Sequence, residues 1–217
     1  MIVDERVSCY IKSLTAYNSD FLEKLREKAL EAKVPIIKRE TESFLKTLLL
    51  LKKPKRILEV GAAVAYSSLV MAETLEGNVK ISTMENYEKR VLEARKNIKD
   101  SHYSNIIHLI EEDASKVLKE LVEKEEKYDF IFMDAAKGQY INWLEPVIKL
   151  LNKEGVLCSD NVLQGGDIVQ SRYLIERRDR SIHSRLREYL YELTHREELS
   201  TTILSLGDGV ALTVLKK

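Results

Sequence analysis

Arg56-Ile-Leu-Glu-Val-Gly-Ala-Ala-Val-Ala-Tyr-Ser67 is a short apolar run that stops at a glycine and gives way to helix-forming residues. Residues 56–60 are too few for a helix and read as a buried strand. Gly61 allows the tight exit from that strand, and residues 65–76 read as the helix that follows. The same pattern recurs four times downstream. Residues 79–84 form an apolar run followed by Glu85, and residues 106–110 one followed by acidic residues to Asp113. Residues 128–133 end at Asp134, and residues 155–159 end at Asp160. Helical stretches lie between them at 86–99, 114–124 and 140–151. Five strand–helix alternations imply an α/β fold, with a parallel sheet and helices on both faces. Residues 201–206 and 210–215 flank Gly207-Asp208-Gly209 and read as an antiparallel hairpin added to the sheet edge. The count is seven strands, mostly parallel.

Upstream the pattern is helical. Ser19-Asp20 can cap a helix that runs to about residue 33, where Pro35 stops it. Residues 41–52 place Phe44, Leu45, Leu48 and Leu49 at helical spacing, and Lys53-Pro54 ends the run. There is no repeat and no Pro/Gly/Ser-rich linker. One domain over 1–217 is expected, with 1–53 an N-terminal helical segment and 54–217 the α/β core.

Composition excludes little. Lys plus Arg number 35, as do Asp plus Glu, so the net charge is zero and speaks neither for nor against a nucleic-acid partner. The two cysteines, Cys9 and Cys158, show no zinc-ligand spacing. The N-terminus carries Asp4, Glu5 and Arg6 rather than an apolar run, so a signal peptide is not expected. The longest apolar run, residues 48–51, is too short to cross a membrane, and a cytoplasmic location is expected.

The polar residues that follow the strands converge on one edge. In an open parallel sheet, the C-terminal ends of the strands form the ligand crevice. After the first strand only Gly61 is present, not G-x-G-x-x-G, so a ligand without a pyrophosphate fits better than a dinucleotide. Glu85 suits both hydroxyls of a ribose, or merely a helix start. Asp113 can accept from an adenine amino group, or cap the helix at Ala114. Asp134, Asp160 and Asn161 make a hard, all-oxygen set suited to Mg²⁺ or a similar ion. Lys137, three residues past Asp134, is placed to draw a proton from an acceptor hydroxyl, or is a solvated loop lysine. Tyr140 and Trp143 are candidates for stacking on a base or adenine. The basic stretch 172–196 reads either as a solvated helix with internal ion pairs or as a phosphate-binding rim.

Taken in order, Glu59-Val-Gly61 with Tyr66-Ser67, Met84-Glu85, Asp113-Ala114, Phe132-Met-Asp-Ala-Ala-Lys137, Ser159-Asp-Asn-Val162 and Gly207-Asp-Gly209 resemble the cation-dependent O-methyltransferases, the relatives of catechol O-methyltransferase. The resemblance runs from about residue 34 to the C-terminus. It implies a Rossmann-like class I methyltransferase fold. It implies that Gly61, Ser67, Glu85, Asp113 and Asp134 hold S-adenosylmethionine, with Ile37 touching it from the N-terminal segment. It also implies that Asp134, Asp160 and Asn161 hold Mg²⁺ or Mn²⁺, and that Lys137 is the catalytic lysine beside Asp134. Such a metal site prefers two neighbouring oxygens on its acceptor, which catechols and 5-hydroxyuracil both have.

Within the family, Arg178-Asp-Arg-Ser-Ile-His183 and the chain length resemble the bacterial tRNA 5-hydroxyuridine methyltransferases. That narrower likeness implies a tRNA anticodon loop as partner. The product would be 5-methoxyuridine, with Arg178, Arg180, His183 and Arg185 on a phosphate-binding rim. A small catechol-like acceptor is the alternative. A homodimer is expected, with the N-terminal helices offering the interface. One departure stands out: Ala65 occupies a position where the family usually has glycine. If that position needs positive φ, alanine costs about 1 kcal/mol there.

Overall fold

Ile57, Leu58 and Val60 are wholly buried because their strand, β1 (Arg56–Val60), is paired on both edges and covered on both faces. The computed structural model describes residues 3–216. Around β1 stand β2 (Lys80–Met84), β3 (Ile107–Ile110), β4 (Tyr128–Met133), β5 (Leu151–Ser159), β6 (Leu199–Leu204) and β7 (Val210–Leu215). The order across the seven-stranded sheet is β3-β2-β1-β4-β5-β7-β6. β1 to β5 are parallel, and β7 runs against both of its neighbours. The seven-stranded, mostly parallel sheet with an antiparallel C-terminal hairpin is the architecture that the sequence predicts.

The sheet separates two cores. One packs α2 (Asp20–Glu31), α3 (Arg39–Lys52), α4 (Tyr66–Thr74) and α5 (Glu88–Asp100) against one face. The other packs α6 (Ala114–Glu123), α7 (Tyr140–Leu150) and α8 (Arg180–His195) against the opposite face. The first helix, α1 (Glu5–Leu14), buries none of its residues and leaves Val7, Tyr10, Ile11 and Leu14 exposed. Among the described residues no helix is long and apolar enough to cross a membrane.

Several boundaries differ from the sequence reading by one to four residues, and the first two below have a local cause. α5 starts at Glu88 rather than Asn86, because the Glu85 carboxylate takes the backbone N–H groups of Asn86 and Tyr87, both at 3.0 Å. β5 starts at Leu151, four residues early, because a bulge between its two pairings with β4 absorbs Glu154 in a left-handed conformation. β6 begins at Leu199 and ends at Leu204, two residues earlier than expected at each end.

The N-terminal segment is bolted on by a buried carboxylate. Glu42 is fully buried in α3 and accepts from Asn18 (2.7 Å), Arg39 (3.1 Å), Arg26 (3.2 Å) and the Tyr66 hydroxyl (2.7 Å). Arg26 also donates to the Ile37 carbonyl at 3.1 Å, which fixes the strand-like passage from α2 to α3. Removing one partner of such a cluster leaves buried charge uncompensated. Glu42→Ala is therefore expected to lower the unfolding free energy by about 3–5 kcal/mol. Asp4→Ala, which removes the exposed cap of α1 and its pair with Arg6, should cost much less. Urea unfolding of the two variants measures both, and equal costs would remove the anchoring role given to Glu42.

Candidate active site

The crevice opens between β1 and β4, where the chain direction of the sheet's crossovers reverses. A cleft of about 1190 Å³ lies there. Its walls include Ile37, Gly61, Ser67, Glu85, Asp113, Asp134, Lys137, Asp160 and Asn161. Every cofactor, metal and catalytic candidate read from the sequence is thus brought to one place.

The cofactor half is built by backbone geometry. Gly61 has φ +104°, and a Cβ on it would stand 2.3 Å from the Asp134 carbonyl oxygen. No side chain can be accommodated. The loop is then closed by Glu85, whose carboxylate accepts from the Ala63 N–H at 2.9 Å and so ties the β1–α4 turn to the end of β2. Asp113 caps α6 through the Ser115 N–H at 2.9 Å, with its other oxygen 3.4 Å from the Asn86 amide. Capping α6 therefore leaves Asp113 on the wall of the cleft, with its second oxygen toward Asn86. Ala65 is fully buried and left-handed at φ 63°, so the alanine does sit in the strained conformation that favours glycine. Ala63 is also left-handed, at φ 46°. Beneath this loop, Glu59 is fully buried in β1 and takes hydrogen bonds from Ser68 and from Thr83 (2.6 Å) on one oxygen. Its other oxygen has no partner among the described residues. Burial pushes the Glu59 carboxyl above the usual carboxylate range, against the pull of the Ser67, Ser68 and Thr83 hydroxyls.

The other half, around Asp134 and Asp160, is built by charge. Asp160 is 2% exposed at the end of β5, beside Asp134 at the end of β4. Burial, and then the negative charge of Asp134, raise its carboxyl well above the ordinary range. Two carboxylates so placed call for a positive charge. In this structure Lys137 provides it, with Nζ 2.6 Å from Asp134 Oδ1. Among the described residues no three His, Cys, Asp or Glu side chains converge, so a cation would depend on the Asn161 amide oxygen as third ligand. Asn161 is left-handed at φ 57°, and its NH₂ donates to Asp208 at 3.4 Å, which turns the amide oxygen away from Asp208. Hard oxygen donors, an excess of negative charge and a steered amide fit a divalent cation.

Several placements depart from the sequence reading. Tyr140 is buried and packs edge-on against Tyr189, so it is not a stacking wall. Its hydroxyl instead donates to the Met133 carbonyl at 3.0 Å and accepts from the Ala135 N–H at 3.3 Å, pinning the loop after Asp134. Trp143 does line the cleft, and its indole N–H donates to Ser115 at 3.0 Å beside Asp113. Of the expected rim, Arg178 is exposed and paired with Glu176 and Asp179. Arg180 is held by the Ile175 and Tyr173 carbonyls, Arg185 donates to the Gly138 carbonyl, and His183 is buried. None of these four lines the main cleft. Asp208, which lines the cleft and orients Asn161, went unnoticed as a site residue. Its only sequence signal was the hairpin turn Gly207-Asp208-Gly209.

A family model described as O-methyltransferase matches residues 12–217. A catechol O-methyltransferase of Niastella koreensis is 30% identical over 76% of this chain and 76% of that protein. The fold superposes on a Staphylococcus aureus protein with TM-score 0.89 at 30% identity, covering 97% of this chain and 100% of that one. An SAH-bound methyltransferase of Podospora anserina gives TM-score 0.87 at 26% identity, with 98% and 95% covered.

Two variants test the strain and charge described above. Ala65→Gly relieves a left-handed alanine but loosens the unfolded chain, so a net gain of at most about 0.5 kcal/mol is expected in chemical denaturation. A loss would mean that the Ala65 methyl packs better than its backbone suffers. Because the folded Glu59 carboxyl is raised, its protonated form is favoured by folding. The associated stability is present at low pH and is lost as pH rises through the folded value. Stability of the wild type should therefore fall more steeply with rising pH than that of Glu59→Gln. Parallel slopes in pH-resolved urea melts would contradict it.

Proposed function

The chain belongs to the O-methyltransferase family; from that premise we propose that it methylates one of two neighbouring oxygens on its acceptor, with Asp134, Asp160 and Asn161 holding Mg²⁺ or Mn²⁺. The enzyme is an S-adenosylmethionine-dependent O-methyltransferase. The observation that carries the finer reading is the buried Asp160 beside Asp134, in one cleft with Lys137, Glu85 and Asp113. A divalent cation bound there lowers the pKa of an acceptor hydroxyl and fixes its direction.

The chain's own residues do the rest. Glu85 and Asp113, each locked by backbone N–H donors, offer fixed acceptors to ribose hydroxyls and an adenine amino group. Ser67 and Ile37 complete that wall, and Gly61 lets the cofactor approach the backbone. Lys137 takes the acceptor's proton. It can do so only as the neutral amine, after its ammonium has left Asp134 and given its own proton to solvent, so one carboxylate governs both groups. Transfer from sulfonium to an oxyanion cancels two charges, and the low exposure around Asp160 favours it.

The catechol-type small acceptor is the reading favoured by the 30% identity to a catechol O-methyltransferase. A second reading, 5-hydroxyuridine at the tRNA wobble position, is supported by the concentration of arginines before and along α8. Arg178 and Arg185 remain exposed for a backbone phosphate, whereas Arg180 and His183 would act from inside. Nucleoside analysis of tRNA incubated with the enzyme, labelled cofactor and Mg²⁺, run beside a catechol assay, decides between them.

Asp160→Ala and EDTA treatment are each expected to lower turnover at least about a hundredfold. Full activity in EDTA would refute the metal role. Lys137→Ala should lower kcat by roughly 10²–10⁴ while cofactor affinity holds. An unchanged kcat would take the lysine out of the proton transfer.

A further inference from the structure

A second, smaller cavity of about 270 Å³ lies against α8, lined by Arg172, His183, Ser184 and Arg187. His183 and Arg187 are one turn apart on α8 and so share a face. Arg172 comes from the single 3₁₀ turn Arg172–Leu174, which Arg180 holds in place through the Ile175 and Tyr173 carbonyls at 3.0 and 3.4 Å.

Three features set this cavity apart from an ordinary solvated patch. His183 is 2% exposed, and neither ring nitrogen has a hydrogen-bond partner among the described residues. A buried imidazole left that way is costly, and native structures rarely keep one without a water or a ligand. Neither guanidinium, Arg172 nor Arg187, has an ion pair or hydrogen bond among the described residues. The nearby acids Glu176 and Asp179 are already taken by Arg178 at 3.0 and 3.4 Å. By contrast Arg56, Arg95 and Arg196 on other surfaces all have carboxylate partners. Ser184 turns its hydroxyl to the Arg180 carbonyl at 3.0 Å and is wall rather than donor.

We propose that Arg172, His183 and Arg187 form an oxyanion site that takes a phosphate group. Two guanidinium forks and an imidazole N–H supply the donors that such a group satisfies best. The cavity is lined by residues that the main cleft does not share. α8 nevertheless rests on the turn that carries Lys137: Arg185 donates to the Gly138 carbonyl at 3.1 Å, and Ile182 packs beside Gly138. A phosphate on the acceptor could thus be gripped from α8 while the reacting oxygens lie in the cleft. Only this source of the phosphate rests on the methyl-transfer reading. The site itself does not.

The test is calorimetric titration of the full chain with inorganic phosphate, in EDTA and at constant ionic strength set by chloride. EDTA keeps the phosphate from reporting on the cation site. Saturable one-site binding is expected for the wild type and for Arg95→Ala, whose pair with Glu111 lies on another surface, and at least tenfold weaker binding for Arg172→Ala/Arg187→Ala. Absence of saturable binding, or equal binding by the double variant, overturns the site. Cofactor titration checks that the double variant folds; if it does not, Arg187→Gln alone is judged by the same criterion. Initial rates then assign the source. A phosphate-dependent rise in KM for tRNA but not for catechol places the phosphate on the acceptor, whereas phosphate binding without either KM changing assigns the site to free phosphate. If neither acceptor is methylated, the acceptor reading fails while the binding result stands.

Discussion

The Asp134 carbonyl occupies the space where a side chain on residue 61 would begin, 2.3 Å from the ideal Cβ position. That contact sets how closely the ends of β1 and β4 approach. The Asp134 N–H completes it by donating to the Val60 carbonyl at 3.0 Å. The β1–α4 loop and the loop after Asp134 therefore meet back to back at the one point in the sheet where consecutive crossovers diverge to opposite faces. A larger residue at 61 would part the two loops and with them the two halves of the site. The fold's division into two cores, one under each set of helices, follows from the same divergence.

Charge completes what sterics begins. Asp134 and Asp160 follow adjacent parallel strands, and a nearly inaccessible carboxylate beside a second one must either hold a proton or gain a positive charge nearby. Lys137 supplies it here from a short 3₁₀ turn, and Tyr140 fixes that turn from below by bonding backbone on both sides of Asp134. The Tyr140 ring is thus spent on holding the loop. This is why an aromatic that looked free for stacking in the sequence is buried, while Trp143, one helical turn on, reaches the cleft.

The strand ends were legible because each apolar run stops at a polar residue, and burial makes such a stop expensive unless the residue has work to do. Glu85, Asp113, Asp134 and Asp160 were found on that ground alone. Periodicity located the helices to within a few residues, but it could not see Glu85 capturing two N–H groups or the bulge at Glu154, since both depend on neighbours distant in sequence. Asp208 escaped for a related reason. It lies in a hairpin turn, 47 residues from the Asn161 it orients, and only the antiparallel pairing of β7 with β5 brings the two together. The basic stretch before and along α8 was legible as charge but not as geometry. A helical wheel does not show which arginine is spent on a carbonyl and which histidine faces inward.

The departure at Ala65 gains meaning from its surroundings. Ala63 and Ala65 are both left-handed, so the loop over the cofactor cleft stores strain in two places. The residue that follows, Tyr66, is tied by its hydroxyl to Glu42, and Glu42 gathers Arg26, Arg39 and Asn18 from the N-terminal segment. The same segment sends Lys38 across the cleft to Asp208 at 2.7 Å, and Asp208 holds Asn161. The N-terminal helices therefore act on both halves of the site. They clamp the strained β1–α4 loop through Tyr66 and steer the Asn161 amide, the proposed third metal ligand, through Asp208. A loop that uses alanine where glycine would relax it needs such an external clamp, and the buried Glu42 cluster is the part of the molecule strong enough to supply it.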